Sequence, residues 1–178
     1  IILAKAESLN SFGSDDIIIE RALLPSRHVE IQIFGDALGN VIHLGERDCS
    51  VQRRHQKIFE EAPCPKMKKK LRQEMGQTAV KIAKEIKYIG AGTIEFLLDS
   101  NNDFYFLEMN TRLQVEHPVT ELITGLDLVY LQFLVADGQS LPIKQNEIKL
   151  KGHAIETRLY AEDPANDFLP SSGRLKSW

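Results

Sequence analysis

The chain has 178 residues, 43% of them hydrophobic and 26% charged, which suits one ordinary folded core. Its formal charge of −3 gives no electrostatic reason to expect a nucleic-acid partner, and no apolar run approaches the roughly 18 residues of a membrane span. Cys49 and Cys64 are too few for a disulfide framework and form no Cys-x-x-Cys pair, so a reducing compartment is the default; a start at Ile1 with no signal-like leader reads as a segment of something longer.

Residues 16–20 form a short apolar run ending on Glu20, followed by a loop at Pro25. Residues 28–34 alternate, with Val29, Ile31 and Ile33 on one side and His28, Glu30 and Gln32 on the other; residues 35–39 then turn the chain back into 40–44. That pattern predicts an antiparallel hairpin. Residues 46–57 are dense in charge and predict a loop over a site rather than a core element. Beyond Pro63 and Pro65 the period changes. Leu71, Met75, Ala79, Ile82 and Ile86 recur as on one helical face, predicting a helix over 67–89 that Gly90 can close. Its lysines at 66 and 68–70 read as a solvated first turn.

Asn101 and Asn102 predict a two-residue turn, because Asn tolerates positive φ. Counting back along both strands from that turn sets Glu95 opposite Glu108. Like charges face to face destabilise a sheet, and a divalent cation between them would reverse the sign. Such carboxylates are hard ligands suited to Mg²⁺, with Asn110 on the same side able to add an oxygen. Further on, Glu108, Asn110, Arg112, Gln114 and Glu116 are polar at every second position, so in an extended chain they line one edge. Helices are predicted over 118–124 and 127–137, stopped by Gly125 and Gly138, and an alternating strand over 152–160.

The strings Arg27-His-Val-Glu-Ile-Gln32, Glu46-Arg-Asp-Cys-Ser50, Gln52-Arg-Arg-His-Gln-Lys57, Glu60-Glu-Ala-Pro63, Gly90-Ala-Gly-Thr93, Glu108-Met-Asn-Thr-Arg112, Gln114-Val-Glu-His-Pro-Val-Thr-Glu121 and Gly152-His-Ala resemble the biotin carboxylases. These are the ATP-grasp component of biotin-dependent carboxylases, and the resemblance covers nearly the whole chain. It implies an α+β fold, the larger ATP-grasp lobe with an antiparallel sheet flanked by helices. Residues 1–150 would be the incomplete ATP-grasp domain and 151–178 the start of a C-terminal subdomain.

By the same resemblance, Glu20, Arg21, Ala22 and Leu23 meet the adenine of ATP, and His28, Gln52 and His55 surround its ribose and base. Glu95 and Glu108 hold Mg²⁺ or Mn²⁺ on the phosphates, with Asn110 on a second ion. Lys57, Arg112, Gln114 and Val115 bind bicarbonate, the last through its backbone. Glu116 is the general base, and Arg158 meets bicarbonate and the enolate-like oxygen of biotin. A salt bridge from Arg158 to Glu156 is not expected, since strand residues two apart lie about 7 Å from each other. The resemblance further implies a biotin carrier and a carboxyltransferase as partners, a homo-oligomeric parent, and a bacterial cytoplasm or mitochondrial matrix, with neither nucleic acid nor membrane.

The family's nucleotide-fold domain and glycine-rich lid have no counterpart in these residues, so the chain alone is expected to be inactive. Two other readings remain open at this stage. One is another bicarbonate-activating ATP-grasp ligase, related to carbamoyl phosphate synthetase. The other is a non-catalytic module using Arg53, Arg54 and His55 on an acidic partner.

Overall fold

The computed structural model describes residues 1–174, 176 and 177. A helix, α1 (Ile2–Phe12), and an exposed stretch precede β1 (Ser26–Gly35), β2 (Val41–Arg53) and β3 (Gln56–Ala62). Then come α2 (Lys69–Glu85), β4 (Gly90–Asp99), β5 (Phe104–Asn110), α3 (His117–Thr124), α4 (Leu128–Ala136) and β6 (Ala154–Thr157). These six strands form one sheet in the order β5-β4-β1-β2-β3-β6, every neighbouring pair antiparallel. The residues after 150 therefore contribute a strand to the same sheet. The two-residue strands β7 (Glu162–Asp163) and β8 (Leu169–Pro170) pair separately.

The alternation of β1 decides what each face does. Val29, Ile31 and Ile33 are fully buried against Leu71, Met75, Ala79 and Ala83 of α2. On the other face Phe34 joins Ile42, Leu44 and Ala91 under Leu128, Leu131 and Val135 of α4. Glu30 and Gln32 share that second face and are equally buried, so the site grows from a polar patch inside a covered sheet.

Helix α2 is shorter than its periodicity predicts. Ile86 stays 56% exposed, Lys87 turns left-handed at φ 52°, and the Tyr88 N–H returns to the Ala83 carbonyl at 2.9 Å. Gly90 opens β4 instead of closing the helix. Gly76 lets α2 approach the sheet, since a Cβ there would lie 2.5 Å from the His43 ring. As expected, α3 ends on Gly125, left-handed at φ 73°, and Gly138 (φ 79°) follows α4. The strand predicted over 152–160 shortens to β6.

Residues 46–57 are strand rather than loop. β2 runs on to Arg53, a turn at Arg54 and His55 takes positive φ at both residues, and β3 begins at Gln56. The charges fit a sheet because each finds a partner from elsewhere in the chain. Glu46 takes Arg72 of α2 at 2.7 Å, Arg47 takes Glu30, and Asp48 takes Arg27. Buried polar groups are tolerated when their hydrogen bonds are met.

The turn after β4 also differs. Asp99 and Asp103 close a three-residue loop of Ser100, Asn101 and Asn102, with the Asp99 N–H on the Asp103 carbonyl at 3.0 Å. Near that loop the pairing is slipped by one residue, Phe96 facing Phe106. A bulge before Glu108 takes up the slip, and Glu95 does face Glu108.

Candidate active site

Four directly opposed residues make a row across the sheet: Glu108 on β5, Glu95 on β4, Glu30 on β1 and Arg47 on β2. Arg47 is completely buried and donates to five side chains: Glu30 (2.5 Å), Gln32 (2.7 Å), Thr120 (2.9 Å), Thr93 (3.3 Å) and Gln114 (3.1 Å). It is the cationic floor of the site. Above it Lys57, on β3, donates to Glu30 (2.5 Å), Glu95 (2.9 Å) and Glu116 (2.8 Å). Burial disfavours the charged amine, but Glu30 and the other carboxylates hold the Lys57 pKa well above its usual range.

Glu95 is 2% exposed, and its oxygens accept from His28, Lys57, Asn110 (2.8 Å) and Gln114 (2.9 Å). Burial alone would raise its pKa; the hydrogen bonds from His28 and Lys57 outweigh that and push the carboxyl far below its ordinary range. Gln52 stands behind His28, its amide 2.6 Å from the His28 Nδ1. Glu116 is the residue just before α3, but its side chain makes no cap bond to the helix. Lys57 holds one of its oxygens, and Arg158 Nη2 holds the other at 2.9 Å. Its pKa is also lowered, because the bond to Lys57 and that cation's charge overcome burial.

A cavity of about 320 Å³ opens over these groups, lined by His28, His55, Gln56, Lys57, Glu95, Glu108, Asn110, Arg112, Gln114, Val115, Glu116, Arg158 and Tyr160. Arg112 differs from its neighbours. Among the described residues it forms no ion pair, and its Nη1 reaches only the Leu113 carbonyl at 3.3 Å. An exposed guanidinium at the rim of a carboxylate-rich cavity is a ready partner for a small oxyanion. On the other flank Glu95, Glu108 and Asn110 offer two carboxylates and an amide from adjacent strands, a donor set that fits a hard divalent cation.

The alternating run therefore converges as expected, but not by one extended edge. Glu108 and Asn110 lie on β5, whereas Arg112, Gln114 and Glu116 follow in the loop leading to α3. Two expected groupings are not brought in. Gln52 acts behind His28 rather than at the cavity wall. Glu20, Arg21, Ala22 and Leu23 lie on the stretch before β1, none of them lining the cavity and the first three exposed. Arg158 avoids Glu156 and bonds Glu60 (2.8 Å) and Glu116.

Sequence reasoning missed Glu30, Arg47, Glu60, Gln56 and Tyr160. The alternation of His28, Glu30 and Gln32 was a usable signal for the first. Nothing local marks Arg47. At the basic turn the two arginines already have partners: Arg53 pairs with Glu162 and lies 4.2 Å from the centre of the Phe168 ring, and the exposed Arg54 pairs with the exposed Asp167 at 2.5 Å.

Such a covered antiparallel sheet, with an acid-and-amide cluster on one side of a cavity and cationic groups on the other, can take a divalent cation on the first side and a small oxyanion on the second. The sequence matches the family described as carbamoyl-phosphate synthase L chain, ATP binding domain, over residues 1–144, and the chain belongs to that family. Among curated relatives, the mitochondrial methylcrotonoyl-CoA carboxylase subunit alpha of Mus musculus is 57% identical, the match covering 97% of this chain and 24% of that protein. A biotin carboxylase of Nostoc is 54% identical over 99% of this chain and 40% of its own length. The chain thus spans between 24% and 40% of these two relatives.

The biotin carboxylase domain of Hydrogenobacter thermophilus 2-oxoglutarate carboxylase, in complex with MgADP, ADP and bicarbonate, superposes with a TM-score of 0.91. The two are 48% identical, over 95% of this chain and 37% of that one. For the Campylobacter jejuni biotin carboxylase the TM-score is 0.89 at 51% identity, covering 95% and 37%. The fold is the larger lobe of an ATP-grasp domain.

Proposed function

We propose that this cavity is the bicarbonate-activating centre of a biotin carboxylase, and that the complete protein carboxylates carrier-borne biotin at the expense of ATP. One observation carries the reading: Glu116 is clamped between Lys57 and Arg158 beside Arg112, which forms no ion pair among the described residues, in the cavity that also holds the facing pair Glu95 and Glu108.

The clamp explains how a carboxylate of lowered pKa can act as a base. With no anion bound, Lys57 and Arg158 stabilise the Glu116 charge and make it a poor proton acceptor. Bicarbonate seated among Lys57, Arg112 and Arg158 draws those cations onto itself and restores the basicity of Glu116 as the substrate hydroxyl comes within reach. Gln114, 5% exposed and bonded to Arg47 and Glu95, and the Val115 backbone keep the anion in register.

The ionised bicarbonate then attacks the γ-phosphorus of ATP to give carboxyphosphate and ADP. Glu95 and Glu108 would hold Mg²⁺ or Mn²⁺, with Asn110 on a second ion; a cation so held neutralises charge on the phosphates. His28 keeps the Glu95 carboxylate oriented, and Gln52 fixes the His28 ring. His55, on the β2–β3 turn, and residues 20–23 belong to the nucleotide side of the reading. Carboxyphosphate yields CO₂ and phosphate, the phosphate takes the proton of the biotin ureido nitrogen, and that nitrogen captures CO₂. Arg158 stabilises the enolate-like oxygen of biotin meanwhile.

A biotin carrier, a carboxyltransferase and a homo-oligomeric assembly follow as partners of the whole protein. The named relatives, mitochondrial in mouse, are consistent with a mitochondrial matrix or bacterial cytoplasm. Residues 1–150 would form the ATP-grasp part and 151–178 begin the next subdomain, which also lends β6 to the sheet. The isolated chain is expected to turn over ATP negligibly.

The test is Glu116→Gln in a complete carboxylase carrying this segment, read as bicarbonate-dependent ADP release and carboxylation of free biotin. A loss of roughly 10²-fold or more in both is expected. Undiminished ADP release would remove Glu116 from the role of base. Carboxylation of ammonia-derived acceptors but not of biotin would favour a carbamoyl-phosphate type of ligase.

A further inference from the structure

β3 and β6 pair so that Glu60 stands directly opposite Glu156. Residues in that relation have Cβ atoms about 4.5–5.5 Å apart, close enough for two negative charges to destabilise the sheet. Glu60 is fully buried, and in both carboxyl groups the Oε2 atom is buried without a hydrogen-bond partner. The other oxygen of Glu60 accepts from Arg158 Nε at 2.8 Å, while Arg158 Nη2 reaches Glu116. Among the described residues no cation bonds Glu156, because Arg158, just past the end of β6, turns its guanidinium to Glu60 and Glu116. The remaining charged or titratable groups that act on the pair are Glu116 and His117 at the start of α3, and Arg47 of β2.

Two ionised carboxylates would leave both Oε2 atoms as buried acceptors facing no donor, an arrangement proteins rarely keep. One proton resolves both, since a protonated Oε2 on one residue can donate to the Oε2 of the other. We infer that Glu60 and Glu156 form a dyad sharing a single proton, resident on Glu156, so that Glu60 remains the ionised anchor that aims Arg158 at Glu116. Burial raises the pKa of both carboxyls; Arg158 pulls each of them down, and the nearby charge of Glu116 adds to the rise. Direct contact with the guanidinium makes Glu60 the member that stays charged.

Both acids are positioning residues for Arg158, and their bearing on turnover rests on the carboxylase reading above. Without the proton, Arg158 would be shared among three negative groups, Glu60, Glu116 and Glu156. With it, the guanidinium bridges one anchor and one base.

The proton itself is tested on this chain by infrared difference spectroscopy at neutral pH. A carbonyl band of a protonated carboxylic acid, shifted in D₂O and lost in Glu156→Gln, is expected. Absence of any such band, or its persistence in both Glu156→Gln and Glu60→Gln, would overturn the dyad whatever the enzyme does. The positioning role is read in a complete carboxylase. Glu156→Gln keeps a donor at Oε2 and is expected to cost at most about 3-fold in kcat, whereas Glu60→Gln loses the charged anchor and costs about 10-fold or more. The KM for ATP should hardly move in either, and Glu60→Asp should recover part of the loss. Equal losses in Glu156→Gln and Glu60→Gln would sink the assignment of the proton to Glu156. Full activity in Glu116→Gln would instead remove the carboxylase reading and leave the infrared result standing.

Discussion

Residues 1–24 carry Ile2, Leu3, Phe12, Ile18 and Ile19 and expose each by 75% or more, while the sheet carries Glu30, Arg47 and Glu60 and exposes none of them. Side-chain chemistry alone would reverse that assignment. Partners decide it. Helix α1 buries no residue, and its apolar side chains find nothing to pack on within the described residues. Each buried charge of the sheet has an opposite charge within 2.9 Å, most of them from another strand or helix. The stable part of the molecule is thus organised around an ion network as well as an apolar core, and that network is the part the proposed chemistry would use.

Arg47 is where the contrast can be broken most sharply. Arg47→Met leaves Glu30 short of a cation and strands four acceptor groups, so a loss of about 3–5 kcal/mol in urea unfolding is expected. A loss below about 1 kcal/mol would mean the floor of the site is not structural. Lys57→Met should cost less, about 1–3 kcal/mol, because Glu30 keeps Arg47, Glu95 keeps His28 and Glu116 keeps Arg158. In that variant the Glu116 carboxyl should titrate at higher pH, which carboxyl NMR can follow.

Acid probes the same network without mutation. Glu95 and Glu116 have folded-state pKa values below their unfolded ones, so their contribution is complete above the ordinary carboxylate range and is lost as pH falls through the depressed folded values. Glu156, whose carboxyl pKa is raised, acts in the opposite sense above the ordinary carboxylate range, so the loss should show in thermal unfolding once the pH falls below about 4, past the unfolded carboxylate value and toward those depressed folded ones. A midpoint that rises on acidification below about pH 4 would contradict the pairing. The smallest effect belongs to the other region: Phe12→Ser with Ile18→Ser should change stability by no more than about 0.5 kcal/mol. A cost above 2 kcal/mol would show that the N-terminal stretch packs after all.

What could be read from the sequence follows the same division. Elements set by local pattern were legible: the β1–β2 hairpin from its alternation, α2 from its period, and the ends of α3 and α4 from Gly125 and Gly138. The strand character of residues 46–57 was not, because it depends on Arg27, Glu30 and Arg72, none of them nearby in sequence. The same holds for Arg47, whose five acceptors span Glu30 to Thr120. Side chains from Glu108 to Glu116 could be assigned to one cavity, yet the change from strand to loop after Asn110 carried no alternation signal of its own. Helix α1 has neither a periodic face nor a side-chain cap, and residue pattern gave no warning of it.

The bulge before Glu108 has one more consequence. It absorbs the offset that the odd-length hairpin loop introduces, and so separates the end of β4 and β5 that carries Glu95 and Glu108 from whatever happens at their tip. Insertions or deletions around Asn101 can be taken up there, so that end of the hairpin is free to vary in length, or to accept a grafted peptide, while the two glutamates keep their places.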